Sequence, residues 1–357
     1  MELAIVASSS PIWTQVSPNM IKTVKLGGTD EIVAKTAHGL MTMTWVPTPV
    51  PEQEAFAAIK AGIDTLPPGA KMLLSSGEFY AQDFSMLNLE VLARFFEKYP
   101  SYADKAFLSV KGGAKKRQRV PDSSPENLRR SVTAIVTALR GTKTLDLFEV
   151  ARVDSAYPTE DTVGVLQGFV KEGLFKYIGL SEVNATTVRR AAKVARIAAV
   201  EIEVSPWSYW QETKDVISTC EELGISVVAY SPLGRGILTG ALKPENLEEG
   251  DMRLGFTRFK PENWKHNEAI VDAMTAVAAK KGITPAQLSI AWVAARGAHV
   301  IPMPGSSNAK RTLENIAGGN ITLSEAELAE IDAVLAQNTV KGGRYIDEME
   351  PHMHLWG

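Results

Sequence analysis

A phenol and an ammonium stand at matching places behind two successive apolar runs. Tyr80 follows Leu74-Ser75-Ser76-Gly77-Glu78-Phe79, and Lys111 ends the run Ala106-Phe107-Leu108-Ser109-Val110. If both runs are parallel strands of a closed barrel, their carboxyl ends lie side by side at one mouth, where such barrels carry their chemistry. A nearby ammonium stabilises phenolate, so Lys111 is expected to lower the Tyr80 pKa from about 10 by roughly one to three units. At about 4 Å and an effective dielectric near 20, one unit charge is worth roughly 4 kcal/mol before screening. A phenol so adjusted is a usable proton donor near neutral pH. Taken alone, the pair has a plain alternative, because most tyrosines and lysines in loops are solvated surface.

The elements that would position the pair follow a regular pattern. Residues 23–26, Gly27-Gly28-Thr29-Asp30 and residues 32–34 read as a hairpin with a Gly-rich turn. Strands are then expected at 36–41, 72–74, 106–110, 145–150, 175–180, 200–204, 225–230 and 300–301. Helices are expected at 52–63, from Ser85 to Pro100, from Ser124-Pro125 onward, at 159–172, 184–195, 213–223, 267–280 and 308–316. Thr284-Pro285-Ala286-Gln287 and Ser324-Glu325-Ala326-Glu327 are capping boxes that open two more helices. Eight strands alternating with helices is the count of an α/β (β/α)8, or TIM, barrel, here with an N-terminal hairpin and an extra C-terminal helix. The rival is a doubly wound sheet. It would show a Gly-rich turn after its first strand and an acidic residue about 20 positions on, and neither is present. No change of composition marks a second domain, so one domain is expected, with a core over 22–336 and a tail over 337–357. Residues 232–265 read as a loop over the mouth.

Composition narrows the class. The 357 residues are 45% hydrophobic and 22% charged, ordinary globular usage, and a net charge of −3 argues against a nucleic-acid surface. Lys115-Lys116-Arg117-Gln118-Arg119 is the one dense basic run. It reads as a solvated loop, with attraction of anionic ligands to the mouth as a lesser alternative. Cys220 is the only cysteine, which fits a reducing compartment and a cytoplasmic protein. Leu3-Ala4-Ile5-Val6-Ala7 lacks a basic flank, so no secretory leader is expected. No run reaches transmembrane length, and His352 with His354 is no metal pair without further ligands.

Four segments, in order along the chain, resemble those of the aldo-keto reductase family. They are Tyr177-Ile178-Gly179-Leu180-Ser181, Tyr230-Ser231-Pro232-Leu233-Gly234-Arg235-Gly236, Thr284-Pro285-Ala286-Gln287-Leu288 with Ala291-Trp292, and Ile301-Pro302-Met303-Pro304-Gly305-Ser306-Ser307 with Glu314-Asn315. Gly77-Glu78-Phe79-Tyr80 and Ala151-Arg152-Val153-Asp154 are most similar to the fungal pyridoxal reductase branch.

The resemblance implies an NADPH-binding barrel in which hydride passes to a carbonyl while a tyrosine gives the proton. Of the family's Asp, Tyr, Lys and His, this chain matches the middle two with Tyr80 and Lys111. The Asp position holds Ser75, and the His position holds Ala151, followed by Arg152. Ser75 offers Lys111 only a neutral hydrogen bond. Loss of an oxyanion donor such as the His typically costs about 10²–10³ in rate, and Arg152 or an ordered water is expected to replace it. For the cofactor, the resemblance assigns Tyr230 to the nicotinamide face and Ser181 and Glu201 to the carboxamide. It also assigns Ser231, Pro232, Leu233 and Gly236 to the cofactor, Arg311 to the 2′-phosphate, with Ser306 and Ser307 just ahead of its helix, and Glu314 and Asn315 to adenine. A helix N-terminus and a guanidinium both suit phosphate, which favours NADP(H) over NAD(H). Trp45, Phe79, Arg152 and Trp207 are expected to line the substrate pocket. The implied activity is NADPH-dependent reduction of an aldehyde or ketone, such as the vitamin B6 aldehyde pyridoxal to pyridoxine. Two other readings remain: a weakly active or non-catalytic NADPH-binding regulatory protein, and an unrelated barrel using Lys111 as a Schiff base.

Overall fold

The computed structural model describes residues 21–348, 350 and 353–357. The expectations for residues 1–20, including the apolar stretch from Leu3 to Ala7, and for His352 lie outside the described residues.

The hairpin forms first, β1 (Thr23–Lys25) pairing antiparallel with β2 (Ile32–Ala34). Its turn plugs the amino-terminal end of the barrel. Leu26 is fully buried against Leu73, Phe107, Leu147 and Ala198. Gly27, at φ +50°, lies where a Cβ would meet the Ala198 carbonyl oxygen at 2.3 Å, so only glycine allows this approach.

Eight parallel strands follow. They are β3 (His38–Gly39), β4 (Met72–Gly77), β5 (Ala106–Gly112), β6 (Leu147–Val150), β7 (Tyr177–Ser181), β8 (Ile197–Glu203), β9 (Ser226–Tyr230) and β10 (Val300–Met303). They pair in sequence order, and Gly39 bridging Gly305 brings β3 back to the segment after β10, giving a (β/α)8 barrel. The outer ring is α1 (Glu52–Ile63), α2 (Leu87–Lys98), α3 (Pro125–Ala138), α4 (Thr159–Lys171), α5 (Ala185–Val194), α6 (Gln211–Glu222), α7 (Pro261–Lys281), α8 (Pro285–Ala294), α9 (Ala309–Asn320) and α10 (Glu325–Gln337).

Local chemistry explains many of these boundaries. Ser124, Asn184, Thr284 and Ser324 each accept a backbone N–H at the start of α3, α5, α8 and α10, and both capping boxes close. Several boundaries differ from expectation: β8 begins three residues early, at Ile197, and α9 runs on to Asn320. The first strand is only two residues, because Met41–Met43 turns into a 3₁₀ helix. Ser85 does not cap α2, whose first residue is Leu87. Helix α7 starts at Pro261, six residues early, proline being well tolerated in a first turn.

Strand alternation sorts the barrel interior into two layers. Leu73, Phe107, Leu147, Val228 and Ile301 fill the lower layer. Two or four residues further along the same strands lie Ser75, Lys111, Glu149 and Tyr230, at the carboxyl-end mouth.

Candidate active site

Tyr80 reaches the mouth because the chain after β4 folds back. A Cβ on Gly77 would sit 2.7 Å from two Tyr80 ring carbons, so the ring occupies the space that any other residue would fill. The loop is tied down by a polar chain. Ser76 donates to Asn88 Oδ1 at 2.6 Å, Asn88 donates to Thr44 Oγ1 at 2.8 Å, and Thr44 donates to the Tyr80 carbonyl at 2.6 Å. Lys111 is the register partner of Gly77 on the next strand. Tyr80 and Lys111 are both buried, and the Lys111 charge favours the phenolate.

The electrostatics differ from the sequence expectation. Lys111 does not face Tyr80 alone, but pairs with Glu201 of β8 and lies 3.2 Å from Glu149 of β6. Ser75 accepts from Lys111 at 3.2 Å and donates to Glu201 at 3.3 Å. Burial raises the Tyr80 pKa, Lys111 lowers it, and Glu201 and Glu149 raise it again, so the phenol ends above its ordinary value rather than below. For Lys111, burial opposes the charged form, but Glu201, Tyr80 and Glu149 outweigh it and hold the ammonium protonated. The carboxylate missing at Ser75 is thus supplied across the barrel. Glu201, assigned above to a carboxamide, pairs with the lysine. Glu149 was not among the expected site residues, although it is the one charged residue inside the apolar alternation of β6.

Trp45, Phe79 and Phe84 form an aromatic wall beside Tyr80, with the Trp45 ring 5.8 Å from those of Tyr80 and Phe84 and 6.1 Å from Phe79. Phe84 was not anticipated. Trp207 does not join this wall. It belongs to the loop after β8 and is fully buried against Phe259 and Trp264, which follow β9.

The C-terminal tail closes over the other side of the mouth. Arg344 is buried and grips Glu182, with its Nη1 and Nη2 each 2.9 Å from a carboxylate oxygen. Its Nε donates to Glu203 at 3.0 Å and its Nη2 to the Tyr230 hydroxyl at 2.6 Å. Burial would raise the Glu203 carboxyl, yet Arg344, Arg235 and Arg258 hold it well below the usual carboxylate range. Arg152 does not turn toward Tyr80. Its donors go to the carbonyls of Met353 (3.1 Å) and Ala151 (2.6 Å) and to the Tyr345 hydroxyl (3.4 Å). Glu182 and Ser231, at the ends of β7 and β9, have φ of 55° and 52°. Such left-handed backbone at non-glycine residues costs of order 1 kcal/mol and tends to gather at functional sites.

The residues assigned to a dinucleotide lie along one arc. The Ser181 hydroxyl is buried with no hydrogen-bond partner among the described residues, which suits an amide ligand. At the far end Arg311 is exposed in the first turn of α9 and makes no ion pair among the described residues. Asn308 caps that helix through the Lys310 and Arg311 N–H groups, and Ser306 bonds Asn308. Glu314 accepts from Thr284 at 2.7 Å, and Asn315 is buried. Among the described residues no cluster of three His, Cys, Asp or Glu could hold a metal, and no helix is long and apolar enough to cross a membrane.

The family model for the aldo/keto reductase family matches residues 36–336. The chain belongs to the aldo/keto reductase family. Among curated relatives, this aldo-keto reductase is 36% identical over 323 residues to "Probable pyridoxal reductase 2" of Schizosaccharomyces pombe, covering 89% of this chain and 96% of that protein. It is 34% identical to "Putative pyridoxal reductase" of Saccharomyces cerevisiae, over 87% and 95% of the two chains. Its fold matches a glycerol dehydrogenase from Gluconobacter oxydans with a TM-score of 0.75 at 21% identity, covering 90% of this chain and 97% of the other. A thermostable aldo-keto reductase crystallised with epalrestat gives 0.66 at 20%, over 88% and 100%.

Proposed function

We propose that the chain reduces an aldehyde to an alcohol with NADPH, that Tyr80 donates the proton, and that pyridoxal or a similar flat aromatic aldehyde is the substrate. The observation that carries the reading is the burial of Tyr80 against Lys111 at the carboxyl-end mouth. NADPH, when bound, supplies the hydride. Ser181 and Tyr230 would hold its nicotinamide end, and Arg311 with Ser306 and Ser307 its 2′-phosphate. Tyr80 holds its proton until the carbonyl oxygen gains charge. Lys111 then stabilises the phenolate left behind. Trp45, Phe79 and Phe84 present ring edges and faces suited to a planar substrate. The pyridoxal reductase names of the two fungal relatives support that substrate class.

The test is NADPH oxidation against a panel of aldehydes that includes pyridoxal, with Tyr80→Phe as control. Oxidation that disappears in Tyr80→Phe, with the variant still binding NADPH, supports the reading. Tight NADPH binding without oxidation of any aldehyde would identify a non-catalytic binder instead. The ties of Arg152 to the tail and the alanine at position 151 leave that alternative a physical basis.

A further inference from the structure

Gly77, Lys111, Glu149 and Gly179 are successive register partners across β4, β5, β6 and β7. The two charged residues of this row are flanked by two that have no side chain. Gly77 leaves room for the Tyr80 ring. A Cβ on Gly179 would lie 3.2 Å from Glu149 Oε2 and 2.6 Å from Leu147 Cδ2, so Gly179 leaves room for the Glu149 carboxyl. Glu149 is thereby directed into the interior, where Glu201 arrives from β8. The charged and titratable groups facing it are Lys111 from β5, Glu201 from β8 and Tyr80 from the loop after β4. Strand β4 adds the neutral Ser75, and β7 adds only Gly179.

Two carboxyl groups surround one ammonium in a site closed to water. With both ionised, the cluster would carry an uncompensated buried negative charge, which proteins avoid by retaining a proton. The geometry points to where that proton is. Glu201 takes the direct ion pair with Lys111 and the Ser75 hydroxyl. Glu149 Oε1 lies 3.2 Å from the same ammonium that Glu201 pairs with, yet has no hydrogen-bond partner among the described residues.

We propose that Glu149 is a positioning residue that shares one proton with Glu201 across the barrel, so that Lys111 is offset by a single carboxylate and keeps field for the Tyr80 phenol. The catalytic consequence rests on reading Tyr80 as the proton donor. Burial, reinforced by Glu201 and opposed by Lys111, pushes the Glu149 carboxyl up to about 8. Below that range Glu149 is neutral. As pH rises through it, Glu149 ionises and the cluster gains a second carboxylate charge, the phenolate is further disfavoured, and proton donation slows.

The test combines a pH profile with an infrared titration of the full chain. In the wild type, kcat/KM for aldehyde reduction is expected to fall about tenfold between pH 7 and pH 9. Glu149→Gln, isosteric with the protonated form, should lose that alkaline limb. Glu201→Gln should lose it too, because Glu149 then becomes the sole carboxylate paired with Lys111. Independently of turnover, the spectrum at pH 7 should hold a protonated-carboxyl stretch that disappears in each single variant and persists in Tyr80→Phe. An alkaline limb unchanged in Glu149→Gln, or no such band in the wild type, overturns the proposal. The band without turnover of any aldehyde would support the shared proton and overturn the donor role of Tyr80. Turnover without the band would do the reverse.

Discussion

Arg344 Nη1 and Nη2 each lie 2.9 Å from a different oxygen of Glu182, joining the C-terminal tail to the strand end beside Tyr230. Both residues are almost fully buried, so this contact and its link to Glu203 are not screened surface pairs. Arg344→Ala would leave two carboxylates buried with fewer partners, a change that typically costs about 3–5 kcal/mol. Urea unfolding at pH 7 checks this, and Glu182→Gln in the Arg344→Ala background should recover part of the loss. The Glu182 and Glu203 carboxyls are held below their ordinary values, so their stabilisation is present above the unfolded carboxyl range and is lost as pH falls. Arg344→Ala should accordingly flatten the acid side of the stability curve.

Gly77 and Tyr80 are coupled by space rather than by a bond. Gly77→Ala places a methyl group 2.7 Å from the ring, and the ring must move. A displacement of this size at a reacting group can cost about 10²-fold in rate. We expect kcat for aldehyde reduction to fall to that degree while the thermal midpoint changes by a few degrees at most. A loss of folding without a specific rate defect would contradict this reading.

Buried Asp146 tethers the start of β6. Its Oδ2 accepts from the Leu108 N–H at 2.9 Å and pairs with Lys143 at 2.6 Å, and its Oδ1 lies 3.1 Å from Lys176. Asp146→Ala strands the Lys143 ammonium, which is itself buried, and should destabilise the fold by about 3–5 kcal/mol. The residue lies at the end of the barrel opposite Tyr80. At temperatures well below unfolding, KM for the aldehyde should therefore be unchanged.

His38 is fully buried, with Nε2 2.8 Å from the Ser306 carbonyl, and burial lowers its pKa to about 4. The unfolded chain takes up a proton near pH 6.5 that the native state refuses. Stability from this residue is therefore complete above about 6.5 and lost as pH falls toward 4, by about 3 kcal/mol in all. Unfolding midpoints measured at pH 7 and pH 4.5 should converge in His38→Gln. A wild type equally stable at both values would contradict the assignment.

Local signals in the sequence placed the barrel and its helices. Ser124, Asn184, Thr284 and Ser324 cap helices through contacts three residues long, and short apolar runs mark the strands, because both depend on neighbours in the chain. Tyr80 and Lys111 were legible together because parallel register aligns the ends of successive strands. What closes around them was not. Glu201 reaches Ser75 across 126 residues, and Arg344 reaches Glu182 across 162. Only closure of the barrel and the path of the tail set these distances. A charge's effect on a neighbour depends on the burial and the other charges around both, so Lys111 beside Tyr80 implied a lowered pKa in the sequence. Glu149, Glu201 and the exclusion of water reversed that direction in the fold.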